Sequence, residues 1–98
     1  MYESLRAMPL RLQMQNVGAE VSRVVRFKES DKYDRAVARA HTAIDMLEEM
    51  CRDPKNAHRI GEFRFMQEEL SDYISTGQTK YDIDPMRLVR QYEIFSDI

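Results

Sequence analysis

Tyr33, Ala36, Val37, Ala40, Ile44, Leu47 and Cys51 recur at steps of three and four residues through one unbroken stretch. That spacing is the apolar stripe of an amphipathic α-helix about five turns long, and it constrains this chain more than any other feature. A stripe along one side of a helix has to be buried against a partner, and the remaining sequence offers only further helices. No segment alternates apolar and polar residues with the period of two that a strand requires, apart from the brief Tyr81-Asp-Ile-Asp. The expected fold class is all-α.

Each of the three prolines stands where a helix can begin, because proline's missing N–H would have had no partner in the first turn. Pro9 opens a helix to about Lys28, with Leu10, Met14, Val17, Val21 and Val24 on one face and Leu12, Val25 and Phe27 widening it. Gly18 weakens this helix at mid-length. Ser30 and Asp31 are expected to cap the second helix, Lys32 to about Arg52, through a side-chain oxygen. Asp53-Pro54 repeats the cap-then-proline signal for a third helix carrying Ile60, Phe63, Met66, Leu70, Tyr73 and Ile74, which Gly77 ends. Asp84-Pro85 opens the last helix, to about Ser96, with Leu88, Val89, Tyr92 and Phe95 together. The links at 29–31 and at Asp53 are too short for anything but antiparallel neighbours. The expectation is a small antiparallel three-helix bundle with a shorter fourth helix at the C-terminal end. It forms one domain over residues 1–98, with a disordered start allowed for residues 1–8 and a loop at 77–84.

A chain of 98 residues hides about 65% of its unfolded surface, enough for a single modest core. With 33% charged residues, most polar side chains must lie on solvated helix faces. The net charge of −2 argues against general nucleic-acid affinity, which needs an excess of Lys and Arg to displace counterions from phosphates. Charge is uneven along the chain, with +3 up to Ile44, −4 from Asp45 to Ser75 and −1 thereafter, as neighbouring helices of opposite sign would show. The lone Cys51 excludes an internal disulfide and a multi-cysteine zinc site, and as a continuation of the stripe it reads as a small buried hydrophobe. No apolar run approaches the ~20 residues that cross a bilayer, and the opening residues lack the order of a signal peptide. A cytoplasmic setting is expected, with no membrane association.

Ala36, Ala40 and Ala43 allow a partner helix to approach closely. Here the sequence Asp31-Lys-Tyr-Asp-Arg-Ala, followed by Ala40 and Ala43, resembles the turn and second helix of a tetratricopeptide repeat, with Phe27 near the aromatic position of the preceding helix. It is similar to a comparable degree to the helical hairpin of MIT domains. The resemblance covers about residues 20–47. It departs from the repeat pattern at Asp31, where glycine is usual, at Ala40, where a larger residue is usual, and near Glu48, where the closing proline is absent. A single copy cannot form a solenoid, since such repeats need neighbours to complete a core. What the resemblance implies is a helical hairpin used as a docking surface, with no catalytic or binding residue carried over.

His41 and His58 are the only histidines, without carboxylates at metal-site spacing, so neither a metal nor any other cofactor is expected. An enzymatic alternative is a ribonuclease of the HEPN type, in which an arginine and a histidine a few residues later cut RNA across a dimer. Arg35 with His41, and Arg52 with His58, have that spacing. Six helical steps turn the second side chain by about 240° from the first, so Arg35 and His41 diverge within one subunit. Lys32, Arg35 and Arg39 form a basic ridge that could take phosphates or pair with acidic neighbours, which leaves a small nucleic-acid-binding protein as a further alternative. Seven methionines suit core filling, with Met14, Met46, Met50, Met66 and Met86 on or beside apolar stripes. Phe65 lies off its helix's stripe, and with Leu12 and Ile94 it leaves more apolar surface than three short helices cover. The function expected is a non-catalytic interaction or regulatory module. Its groove would accept an amphipathic helix of a protein partner, and the chain would form a homodimer. Leu12, Phe65, Ile94 and the ridge of Lys32, Arg35 and Arg39 are the expected contacts.

Overall fold

The computed structural model describes residues 3–75 and 83–96. All regular structure among them is helical: α1 (Glu3–Arg6), α2 (Leu10–Glu29), α3 (Tyr33–Cys51), a 3₁₀ segment (Pro54–Arg59), α4 (Ile60–Tyr73) and α5 (Pro85–Ser96). The protein is thus an all-α helical bundle. The loop expected over 77–84 lies outside the described residues except for its last two positions. Within the start, where disorder was allowed, α1 forms a helical turn and Leu5 on it is buried.

Helix α2 is the centre of the assembly, packed against α3 on one side and α5 on the other, while α3 in turn carries α4. Met14, Val17, Val21 and Val24 are fully buried along α2, as their three- and four-residue steps require. On α3 the buried line is Ala36, Ala40, Ala43, Leu47 and Met50, so the stripe read from the sequence is right in part and rotated. Tyr33, its first member, is 39% exposed, and Val37 and Ile44 sit at the edge of the core. Ala43, Met46 and Met50 take the space instead, because α3 is covered from two sides by α2 and α4.

The turn between α2 and α3 differs from the cap expected there. Ser30 and Asp31 provide no side-chain cap for α3. Asp31 is instead the left-handed residue that ends α2, at φ 60°. The Lys32 N–H donates to the Phe27 carbonyl at 2.8 Å and the Asp31 N–H to the Lys28 carbonyl at 3.2 Å, which is the paired closure of a Schellman motif. The third helix also differs at its start. Asp53 accepts from the Lys55 N–H at 3.2 Å as a cap should, but the turn it caps is the 3₁₀ segment, and the α-helix begins only at Ile60.

Gly18 has a packing reason. A Cβ added there would stand 2.9 Å from the Cβ of Tyr92, so the missing side chain is what lets α5 lie close on α2. Tyr92 is buried in that contact.

Candidate functional site

Two regions hold polar or apolar groups that core packing alone does not explain, and they differ in kind. The first is a buried polar cluster where the start of α2 meets the end of α3. Gln13 and Asn56 are almost wholly buried. The Gln13 Nε2 donates to the Leu5 carbonyl at 2.9 Å and to Asp53 Oδ2 at 3.3 Å. Asn56 Nδ2 donates to Gln13 Oε1 at 3.0 Å and to the Met50 carbonyl at 3.1 Å. The Lys55 ammonium joins Asp53 and also donates to the Arg6 carbonyl at 3.0 Å. Hydrogen bonding from Lys55 holds the Asp53 carboxyl below its ordinary pKa. These bonds tie α1, α2 and α3 to the 3₁₀ turn, so the cluster fixes where the helices end and leaves no open face for a ligand.

The second region is the seam between α4 and α5. These helices scarcely meet through their backbones; a side-chain bond from Gln91 Nε2 to Glu69 Oε1 at 3.1 Å spans the gap. Between them lies a groove of about 590 Å³ lined by Phe65 and Glu69 on α4 and by Arg87, Leu88, Arg90, Gln91 and Ile94 on α5, with Ile83 and Asp84 at its end. Phe65 is 47% exposed and Ile94 61%. On α5, positions 87, 90, 91 and 94 fall at steps of three and four, so they share one face pointing into the groove. Arg87 and Arg90 make no ion pair among the described residues, whereas Glu20, Glu48 and Glu49 elsewhere are each engaged by arginines.

Of the contacts expected from sequence, Phe65 and Ile94 come together in this groove. Leu12 does not: it is half-buried on α2 and lines no part of it. The basic ridge is elsewhere too, at the α2–α3 turn. Arg39 is paired with Glu20 at 3.3 Å, which also holds Arg23 at 2.9 Å, and the Arg35 guanidinium lies 6.0 Å from the centre of the Phe27 ring. Lys28 is turned inward, over the Tyr73 ring and onto the Tyr73 carbonyl, beside the Tyr33 hydroxyl that donates to the Ile74 carbonyl. Lys32 stands exposed at the start of α3. Met86, expected to fill core, is 68% exposed on α5. Arg87 and Arg90 were not singled out by the sequence, although the steps from Arg87 to Arg90 and on to Ile94 carry the signal of one shared face.

Arg35 and His41 are both exposed on α3, six residues apart, and Arg52 and His58 are exposed on α3 and on the 3₁₀ segment. Six helical steps set the Arg35 and His41 side chains about 240° apart around α3, so they diverge within one subunit. Among the described residues no group of three His, Cys, Asp or Glu side chains could hold a metal ion. Burial pushes the Cys51 thiol above its ordinary pKa, with Arg64 opposing, which disfavours the nucleophilic thiolate. No helix among the described residues is long and apolar enough to cross a membrane. No family model, curated protein or solved structure matches the chain.

Proposed function

We propose that this protein is a non-catalytic interaction module, working in the cytoplasm, whose docking surface is the groove between α4 and α5. The observation that carries this reading is the open seam itself. Among the described residues, three of the four large apolar side chains that remain exposed, Phe65, Met86 and Ile94, belong to the two helices that border it, and such a concentration marks an interaction surface. The groove's form suits an amphipathic helix. Leu88, Ile83, Ile94 and Phe65 would receive its apolar side chains, while Arg87, Arg90 and Glu69 at the rim would set its register. The tetratricopeptide-like turn at Asp31 then serves to fold the hairpin, since its own charged groups are largely engaged within the chain.

A fluorescent synthetic amphipathic peptide, built on leucine with glutamate and lysine together on its polar face, tests the groove directly. It should bind dilute protein, and the Ile94→Asp variant should lose at least tenfold in affinity while its helicity by circular dichroism stays unchanged. Absence of peptide binding, or binding indifferent to Ile94→Asp, counts against the reading. Purified wild-type protein that cleaves RNA, and loses that activity in His41→Ala or His58→Ala, would restore the enzymatic alternative.

A further inference from the structure

Resting on the reading of the α4–α5 groove as a docking surface, we infer that its occupant is a second copy of this chain, in a two-fold arrangement that sets the Arg87 and Arg90 wall of each subunit against the Glu69 wall of the other. The inference starts from how charge is divided across the groove. Arg87 and Arg90 stand on α5, without an ion-pair partner among the described residues, and Glu69 faces them from α4 with Gln91 as its bonded neighbour. The two signs line the same groove and do not meet within one subunit. An acidic partner helix would satisfy the guanidiniums but would set its own carboxylates against Glu69 and Asp84, and a basic one would do the reverse. A surface that carries both signs on opposite walls is matched on both walls at once by itself.

A two-fold axis requires that if one residue meets another across the interface, the second meets the first in return. The division of charge satisfies that condition. Met86, Arg87, Arg90 and Ile94 are all exposed on α5, so a neighbouring copy can reach them at the groove. That contact would cover Ile94 and Met86, the two most exposed large apolar side chains among the described residues.

Sedimentation equilibrium on the purified full chain is the test, with charge reversals chosen so that attraction and repulsion trade places. Wild type should sediment as a dimer, at twice the 11.6 kDa of one chain. The double variant Arg87→Glu with Arg90→Glu should be monomeric, because each of its copies faces glutamate with glutamate. Glu69→Arg should be monomeric for the opposite reason. An equimolar mixture of the two should recover the dimer mass, since each wall then meets its opposite. A dimer whose mass ignores both reversals, or a mixture that stays monomeric, overturns the inference. A monomeric wild type also overturns it. In that case the peptide titration tells the two failures apart: binding that Ile94→Asp abolishes leaves the groove as a docking surface for a different partner, and no binding removes the groove reading as well.

Discussion

The bundle closes differently around Asn56 than it does between α4 and α5. Around Asn56, groups from α1, α2, the end of α3 and the 3₁₀ turn bond to one another, the Gln13 and Asn56 amides buried and the Lys55 ammonium closing the cluster from its exposed side. Between α4 and α5, among the described residues, the bond from Gln91 to Glu69 spans the seam, and arginines and large apolar side chains line an open groove. A polar cluster inside a helical core contributes little net stability, but leaving it half-made is costly, so it selects one arrangement of helix ends over others. An open seam selects nothing within the chain. The contrast indicates that the Asn56 end specifies the fold and that the α4–α5 side remains available for binding.

The largest expected effect lies at the closed end. Asn56→Ala takes the donor from Gln13 Oε1, while the Met50 carbonyl keeps the Asp53 N–H, so with one buried acceptor stranded at about 1–3 kcal/mol it should lower unfolding free energy by about 2 kcal/mol in urea titrations. A loss below about 1 kcal/mol would mean that the cluster does not hold the helix ends, and the contrast would fail on that side.

Alanine at Gly18 and at Gly61 should act in opposite directions. At Gly18 a Cβ meets Tyr92 Cβ at 2.9 Å, and overpacking of about 1–3 kcal/mol outweighs the roughly 1 kcal/mol gained by replacing glycine within a helix. At Gly61 nothing stands within 4 Å, so Gly61→Ala should raise stability by up to about 1 kcal/mol. Equal gains at both positions in thermal denaturation would show that α5 does not rest on α2 as closely as described.

Tyr92 bears on the seam from beneath. Its hydroxyl is buried with no hydrogen-bond partner among the described residues, and burial, with the Glu69 charge adding to it, pushes its pKa up. Removing an unsatisfied buried hydroxyl while keeping the ring should stabilise the fold, so Tyr92→Phe is expected to gain about 1 kcal/mol in the same titrations. A loss of similar size would reveal an acceptor for that hydroxyl and with it a more finished seam.

The smallest effect is the pH response of Asp53. Its folded pKa lies below the ordinary value, chiefly through the Lys55 hydrogen bond, so the stabilisation is complete above the unfolded carboxyl's pKa of about 3.9 and disappears as pH falls through the depressed folded value. Lys55 is partly exposed, which keeps the contribution small. Asp53→Asn retains an acceptor for the cap but not the charge, so it should lose about 0.5 kcal/mol at neutral pH and converge on wild type once the pH falls below the depressed folded pKa. Parallel curves across that range would place the charge elsewhere.

How much of this the sequence discloses depends on the kind of interaction. The four long helices, their approximate ends and the buried faces of α2 and α4 follow from residues such as Val17, Val21, Phe63 and Leu70, because apolar periodicity records which side of a helix is covered; the short α1 and the 3₁₀ segment do not. The rotation of the α3 stripe toward Ala43 and Met50 does not follow, since it depends on covering from two sides. Asp31 at the end of α2 was misplaced because aspartate serves both as an N-cap and, less often, as a left-handed C-terminal residue. Gln13 and Asn56 carry no periodic signal, since they are polar residues buried only by virtue of partners 40 or more positions away. Of the groove, Phe65 and Ile94 stood out as surplus apolar surface, but their union with Arg87, Arg90 and Glu69 depends on how two sequence-distant helices lie side by side.

The account turns on the seam being covered in solution, and a single thiol at position 94 measures that most directly. Cys51 is buried and its thiol pushed up in pKa, so it contributes little background. In an Ile94→Cys variant, the rate of labelling by a bulky thiol reagent should fall several-fold as protein concentration rises and recover on dilution. A rate equal to that of a fully exposed thiol at every concentration would contradict the account.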